Sequence, residues 1–358
     1  MRRFFADNYF PHRNLHCFII SGNISSPANY RPFNLSLALK KNGLDVLIIC
    51  ESKRENLKII SFLRDSEINV ETYPESKIVF SIIKTRTILV KLKPTFIYQT
   101  NPTVRAFLSL FLIKTNLIGE WDEPNLLKFK GYRRFLESML HLWFLNKSKI
   151  KISCTKYYTR FIPDSIYIPH GQYLDTKPTE YISEDKNDKY FAYLGKFYPL
   201  WDHDLLFKDL LKAKTDGFTP KIKFIGDGPD YKYWLKFKKK HQLHNIEFMG
   251  FISQIELIKI LKNAHALLFP MRDTPINKSR CSSKIFAYIA SKRPVIAHKV
   301  GEIESILDGT AYLYPPGTNL IQVLKDLPEI LPEICYDNKK YSYETIAKRY
   351  INLIDKLK

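Results

Sequence analysis

Residues 221–229 read KIKFIGDGP, a short apolar run followed at once by Gly226, Asp227 and Gly228. A helical pattern over residues 231–240 comes next, so the stretch predicts a strand, a glycine loop and a helix. Glycines let a backbone approach a ligand closely, and the start of a helix offers unpaired N–H groups. A tight turn between strand and helix has the same composition. The loop alone therefore leaves a ligand site and a plain turn both open.

The same alternation of apolar runs and helical patterns extends along the whole chain, and it predicts α/β units with parallel strands. Strands are predicted at 15–21, 45–50, 68–73, 95–99, 117–121, 150–153, 190–194, 221–225, 246–249, 266–269 and 294–297. Helices are predicted at 30–42, 102–112, 133–146, 204–214, 231–240, 253–262, 283–290, 302–307 and 341–358. Residues 173–189 are polar and lack periodicity. We therefore expect a first domain at 1–173, a linker at 174–189, a second domain at 190–340 and a terminal helix at 341–358.

Composition limits the class of protein. The 358 residues suffice for two domains of ordinary size. Five scattered cysteines without a C-x-x-C pair argue against a disulfide framework or a zinc site and favour a reducing, cytoplasmic location. Asp7 interrupts any apolar signal core, and no run of about 20 apolar residues predicts a membrane span. The net charge of +20 indicates either an anionic partner, such as a membrane surface, or simply solvated lysines.

Two more loops of the second half follow predicted strands. Gly195 and Lys196 directly follow the predicted strand at 190–194. Residues 270–284 (PMRDTPINKSRCSSK) follow the strand at 266–269 and lead into a helix. Serines at a helix start cap free N–H groups, and the same end attracts phosphate, to which a lysine adds a charge. Because loops at the carboxyl ends of parallel strands line one crevice, the three loops predict one anion site. Its candidate residues are Gly195, Lys196, Gly226, Asp227, Gly228, Ser282, Ser283 and Lys284.

The first half offers a different set of candidates. The polar loop from Gly22 to Arg31 is expected to line a cleft, and because it is not G-x-G-x-x-G it does not predict a dinucleotide site. After another strand, Trp121 could stack on a sugar, while Asp122 and Glu123 could contact acceptor hydroxyls or act as general bases. A solvated acidic turn is the alternative. Phosphate-loop, zinc-protease, nucleophile-elbow and EF-hand motifs are absent from the sequence.

These motifs resemble the retaining GT-B glycosyltransferases of the bacterial "group 1" type. The resemblance covers most of the chain. It is carried by the Gly195–Lys196 pair, the GDGP loop, the FMGFI…EL stretch at 248–257, the LLFP run at 267–270 and the segment SKIFAYIASKRPVIA at 283–297. It implies two Rossmann-like domains facing a cleft, with the C-terminal helix crossing back to the first domain. It further implies a nucleotide-sugar donor in the second domain, an acceptor on the first, retention of the anomer, and no metal or other cofactor.

The sequence also departs from this family. Ser279 and Ala287 stand where the family has two glutamates, of which the second binds the ribose, and Lys292 replaces a glycine. A lysine expected soon after Gly195 is replaced by Asp202 or His203. Another acidic group, such as Glu304, would then have to bind the ribose.

We therefore predict a glycosyltransferase of polysaccharide biosynthesis that acts on a glycan or lipid-linked glycan and attaches peripherally to the inner face of an anionic membrane. The alternative is a catalytically impaired module that binds a sugar nucleotide or a glycan. No specific nucleic-acid partner is expected, because the aromatic and basic pattern of RNA-binding folds is missing.

Overall fold

The computed structural model describes residues 14–20, 24, 29–74, 78–122, 130–172, 189–198, 202–307, 309–328, 331, 336–337 and 339–357. The chain divides into two compact units. The first contains the described residues up to Cys154, then Tyr158–Pro169 and the segment from Tyr343 onward. The second contains Thr155–Tyr157 and His170–Ser342. The predicted linker at 174–189 lies outside the described residues, apart from Lys189.

Each unit is built on one parallel sheet. The first sheet contains β1 (Leu15–Ile20), β2 (Asp45–Glu51), β3 (Asn69–Tyr73), β4 (Phe96–Thr100), β5 (Asn116–Trp121), β6 (Ser148–Ser153) and β7 (Ile166–Tyr167). The second contains β8 (Phe191–Leu194), β9 (Ile222–Ile225), β10 (Ile246–Gly250), β11 (Ala266–Phe269), β12 (Val295–His298) and β13 (Tyr312–Tyr314).

Helices connect these strands. In the first unit they are α1 (Tyr30–Lys41), α2 (Leu57–Asp65), α3 (Ile78–Leu92), α4 (Val104–Leu110) and α5 (Gly131–Lys147). In the second they are α7 (His203–Thr215), α8 (Tyr231–Lys240), α9 (Gln254–Asn263), α10 (Pro275–Lys278), α11 (Lys284–Ser291), α12 (Glu302–Leu307) and α13 (Leu320–Val323). The short α6 (Lys156–Thr159) contributes to both units, and α14 (Tyr343–Asp355) belongs to the first.

The strand orders show that both units are doubly wound. They run β3-β2-β1-β4-β5-β6-β7 in the first sheet and β10-β9-β8-β11-β12-β13 in the second. The order reverses between β1 and β4 in one unit and between β8 and β11 in the other. Crevices for ligands form at such reversals, outside the carboxyl ends of the strands. The predicted pair of Rossmann-like α/β units is confirmed, as is every predicted strand and helix, within a few residues at the ends.

The central strands are mainly apolar because helices cover both faces of a parallel sheet. All four residues of β11 are buried, as are all four of β12. An aromatic stack fills the core of the second unit: the ring of Phe207 lies 4.2 Å from that of Trp234 and 4.7 Å from that of Phe224. These contacts join α7 and α8 to β9, and they fix where the strand ends lie.

A buried ion pair organises the first unit. Arg31 on α1 is 1% exposed, and its Nε donates to Glu120 Oε2 of β5 at 3.1 Å. Its other nitrogens donate to the Pro169 carbonyl at 2.7 Å and to the Tyr350 hydroxyl of α14 at 2.9 Å, while Tyr350 in turn donates to Glu120. All three nitrogens of the guanidinium thus donate inside the unit, and the side chain is almost fully buried. The prediction that Arg31 lines a cleft is therefore wrong.

No helix in the described part of the chain is long and apolar enough to cross a bilayer. The four described cysteines, Cys17, Cys50, Cys154 and Cys281, are buried and form no disulfide. Burial raises the pKa of Cys50 to about 12, so this thiol stays protonated at neutral pH.

We predict that Arg31→Ala lowers the free energy of unfolding by about 3–5 kcal/mol, because it leaves the Glu120 carboxylate buried without its counter-charge. Denaturant unfolding measures the change. The control is Lys40→Ala, which removes a surface ion pair to Glu67 and should cost less than about 1 kcal/mol. Equal losses in the two variants would contradict a structural role for Arg31.

Candidate active site

The loops after β8 and β9 are bound to each other. The amide of Gly195 donates to the Ile225 carbonyl at 3.0 Å, and that of Phe197 donates to the Asp227 carbonyl at 3.2 Å. A Cβ atom on Gly226 would lie 2.1 Å from the Gly195 oxygen. One on Gly228 would lie 2.4 Å from the Phe197 oxygen. These glycines are therefore required by the contact between two loops, whether or not a ligand is bound.

Two of the predicted polar residues of these loops are exposed. Lys196 is exposed directly after β8. Asp227 is also exposed, and its carboxylate accepts the amide of Gly228 at 2.7 Å, which stabilises the turn itself. Gly195 also has no room for a side chain, because a Cβ there would lie 2.6 Å from the Tyr193 hydroxyl. The carboxyl ends of β8 and β9 thus form one compact edge.

The loop after β11, residues 270–283, reaches the same edge and ends at the start of α11. Ser283 is the N-cap residue of α11, and its side chain makes no capping hydrogen bond. Ser282 accepts the Ile285 amide through its backbone carbonyl only. The simple capping interpretation of Ser283 is therefore wrong. The amides of Ile285 and Phe286 donate to the backbone carbonyls of Ser282 and Ser283, and the N-terminus of the helix still favours an anion through its dipole.

Lys284 lies at the reversal point between β8 and β11. Its ammonium group stands 4.5 Å from the ring centroid of Tyr193 and 4.3 Å from that of Phe269. Burial, and to a smaller extent the charge of Arg280, lower the pKa of Lys284 to about 7, against the opposing effect of Asp202. The amine is therefore poorly solvated and gains from an anionic partner.

A buried carboxylate holds two arginines beside this lysine. Asp202, directly before α7, accepts Arg272 Nη1 at 3.0 Å, Arg280 Nη2 at 3.3 Å and Asn277 Nδ2 at 2.8 Å. The second nitrogen of Arg272 donates to Asp204 at 2.6 Å. We call Arg272, Arg280 and Lys284 the cation cluster. Both arginines come from the loop after β11, and our reading of the sequence did not single them out.

His203, the other residue in the place of the expected lysine, has a different role. It is buried between the rings of Phe197 and Trp234, at centroid distances of 5.0 and 5.4 Å. Burial lowers its pKa to about 4. His203 is therefore a neutral core residue. Neither Asp202 nor His203 supplies the positive charge of the lysine that the resemblance led us to expect, and arginines of the loop after β11 lie beside Asp202 instead.

The remaining acidic and substituted positions lie near the end of β12 and on α11. Glu304 is exposed and pairs with Lys299 at 3.2 Å, while Glu302 is buried and accepts the Lys156 amide. Ser279 is buried and donates to the Ile276 carbonyl. Ala287 stands one turn after Lys284 on α11. Glu304 thus remains accessible to a ligand, and its predicted contact with a ribose stays a prediction.

The first unit corrects one further expectation. Trp121 is 2% exposed, donates to His141 Nδ1 at 3.0 Å and packs on Phe144 at 4.8 Å. Its indole has no free face for a sugar, so the predicted stacking is wrong. Asp122 is half-buried at the carboxyl end of β5, where its amide donates to the Asn101 side chain. Gly22 and Glu123 lie outside the described residues.

Comparison with known proteins gives one family match and several structural matches. Residues 188–327 match the family described as "Glycosyl transferases group 1". Anabaena HepE, solved with UDP and glucose, superposes with a TM-score of 0.71 at 11% identity, over 96% of this chain and all of that one. The lipopolysaccharide outer core galactosyltransferase WaaB gives 0.66 at 13%, over 96% and 100%. Staphylococcus aureus TarM, solved with UDP, gives 0.67 at 12%, over 95% and 99%. No curated protein matches this chain in sequence.

The two doubly wound units and these structural similarities define a GT-B fold. The identities are low, so they establish the fold, while the family match covers the second unit. Residues 188–327, less than half of the chain, match a group 1 glycosyltransferase domain, and this match supports an enzyme of the glycosyltransferase class.

We predict that the stability advantage of the wild type over Lys284→Met grows as pH rises from 7 toward 10. In this range the unfolded chain still binds the Lys284 proton and the folded chain does not, so stability rises with pH. Unfolding in denaturant at several pH values measures the difference, with Lys278→Met, an exposed lysine of the same loop, as the matched control. A constant difference between wild type and Lys284→Met would contradict a poorly solvated amine.

Proposed function

We propose that the chain transfers a sugar from a nucleotide-diphosphate donor to a glycan or lipid-linked glycan, and that the second unit binds the donor. The observation that carries this proposal is the cation cluster beside the N-terminus of α11. Both lie at the strand-order reversal of the second sheet, which is where ligands of such sheets bind. Two arginines, a poorly solvated lysine and the N-terminal dipole of a helix suit a diphosphate far better than a neutral ligand.

The chemistry follows from the leaving group. When the sugar departs, negative charge develops on the diphosphate, and preorganised donors at that position stabilise the transition state. Asp202 holds the arginines in place before the donor arrives, so little reorganisation is needed. In this proposal the cation cluster neutralises the leaving group, and the reaction needs no metal. The anomer is retained if the departing phosphate assists an acceptor hydroxyl that attacks from the same face.

The acceptor belongs to the first unit in this proposal. Asp122 stands at the carboxyl end of β5, in a half-buried position from which a carboxylate can accept a sugar hydroxyl. Glu123 follows it in sequence and is proposed for the same role. The net charge of +20 favours a cytoplasmic protein that attaches peripherally to an anionic membrane, where lipid-linked acceptors are found.

A second candidate function is a module that binds a sugar nucleotide or a glycan without turnover. Ala287 motivates it, because alanine cannot accept a ribose hydroxyl, and the loss of a charge-assisted hydrogen bond costs about 1.5–3 kcal/mol. Glu304 is the acidic group proposed to compensate, since it is exposed in the first turn of α12. Measurable donor binding with no turnover against any acceptor would favour this candidate.

The test begins with thermal shift and calorimetry against UDP-, GDP- and dTDP-sugars. UDP is the first choice because HepE and TarM were both solved with it. We expect one nucleotide class to stabilise the protein and Lys284→Met to weaken its binding by roughly tenfold or more, since a charged contact is worth about 1.5–3 kcal/mol. Lys278→Met is the control. Unchanged affinity in Lys284→Met would refute the assignment of the diphosphate site.

We further predict that Asp202→Ala weakens donor binding by roughly tenfold. The substitution frees two arginines, and ordering each side chain again on binding costs about 0.5–1.5 kcal/mol. Asp204→Ala, which frees only one contact of Arg272, should have a smaller effect. Calorimetry with the donor nucleotide compares the two variants, and equal losses would show that Asp202 does not position the cluster.

A further inference from the structure

The first unit carries an unusual concentration of exposed apolar side chains. Of the 21 large apolar side chains that are exposed among the described residues, 14 lie between residues 78 and 142. They belong to α3, to α4 with the turn that follows it, and to α5. Single exposed apolar residues are ordinary, but contiguous patches mark interaction sites.

Helix α3 is apolar on its outer side as well as on its buried side. Ile82 and Leu89 are buried in the unit, whereas Val79, Ile83 and Val90 are exposed at helical spacing. Burial in the unit therefore accounts for one side of the helix and leaves an apolar stripe on the other.

Helix α5 repeats the pattern. Tyr132, Phe135, Met139 and Leu142 are exposed at spacings of three and four residues, so they form one stripe along the outer side of the helix. Phe144 alone among the described residues of α5 is fully buried against the unit.

Helix α4 lies between the other two and joins their stripes. Leu112, in the turn after α4, is 79% exposed. Arg86 of α3 donates to the carbonyls of Leu108 and Phe111 at 3.1 and 2.6 Å. On the other side, the ring of Phe107 lies 5.0 Å from that of Trp143 of α5. The outer sides of the three helices therefore form one surface, which we call the basic apolar face.

The charge of this face has one sign. Residues 78–114 and 130–147 contain ten lysines and arginines, of which Arg105 pairs with Glu51, against a single acidic residue, Glu137. Burial raises the pKa of Glu137, against the opposing charge of Arg133. The cations lie among the apolar residues: Lys84 stands 5.6 Å from the Phe80 ring, and Arg133 and Arg134 sit between Tyr132 and Phe135 in the sequence.

We propose that the basic apolar face docks the first unit onto the surface of an anionic lipid bilayer. Helices that lie in a membrane interface combine apolar side chains, which enter the boundary of the acyl chains, with lysines and arginines that contact anionic headgroups. A second copy of the chain is a poor partner, because the contact would bring like charges together. Lysine is depleted in protein interfaces, yet six of the ten cations here are lysines. This inference deepens the proposed function by naming the surface that would meet a membrane.

The test uses the full chain and sedimentation with vesicles of phosphatidylglycerol mixed with phosphatidylcholine, compared with phosphatidylcholine alone. The wild type should bind the mixed vesicles and lose most of that binding at high salt. The double variant Phe135→Ser/Met139→Ser should bind them roughly tenfold more weakly, because two apolar side chains no longer enter the interface. Tyr233→Ser/Phe251→Ser removes two equally exposed apolar side chains of the second unit and should bind as the wild type does.

Charge is tested separately. Arg133→Gln/Arg134→Gln should weaken binding to the mixed vesicles by roughly 25-fold, since each cation near an anionic surface contributes about a fivefold gain in affinity. Lys238→Gln/Lys239→Gln on α8 is the matched control. If both control pairs reduce binding as much as the test pairs, the bound surface lies elsewhere and the proposal is overturned.

Two further outcomes would also overturn it. One is a wild type that does not bind mixed vesicles at low salt. The other is a dimer in solution that Phe135→Ser/Met139→Ser converts to a monomer, since the face would then be a protein interface. Calorimetry with the donor nucleotide on the same samples separates this inference from the donor proposal. If the chain binds the nucleotide but not the vesicles, only the docking surface is refuted. If it binds the vesicles but not the nucleotide, only the donor site is refuted.

Discussion

The buried carboxylate of Asp202 is the interaction on which the candidate active site depends. Arg272, Arg280 and Lys284 carry like charges into one half-buried edge of the second sheet, where their repulsion is poorly screened. Asp202 compensates both arginines through direct hydrogen bonds. It does not fully compensate Lys284, whose pKa burial lowers to about 7. An incoming diphosphate would supply the missing counter-charge, so the protein gains electrostatically from the ligand that the proposed reaction requires.

The fold could be predicted because its signals are local. Parallel strands covered on both faces read as short apolar runs, and the loops after them could be assigned to one edge by topology alone. Their glycines were found for a partly different reason from the one expected. Gly226 and Gly228 have no room for a Cβ because the loop after β8 touches them. A composition rule for ligand loops therefore identified a place where two loops pack together, which is also what builds the edge.

Other features could not be predicted because they depend on partners far away in the sequence. Trp121 and Arg31 have polar neighbours in the sequence, which is typical of surface residues. The structure buries both of them, with Trp121 bonded to His141 and Arg31 bonded to Tyr350. In the sequence, Arg280 is one of several charged residues in a polar loop. Its hydrogen bond to Asp202, which lies 78 residues earlier in the chain, is visible only in the structure. Helix α3 escaped prediction because it is apolar on its outer side as well as on its buried side, so it shows no ordinary amphipathic stripe.

The positive charge of the chain has two different physical roles in the two units. In the cation cluster, carboxylates compensate the arginines and hold them in place. The poorly solvated lysine adds a charge that one anion can meet at short range. On the basic apolar face the cations are mostly exposed among apolar side chains and act together, at long range, on an extended anionic surface. The net charge of +20 cannot separate these roles, because it counts each lysine equally. Burial and the presence of a counter-ion separate them.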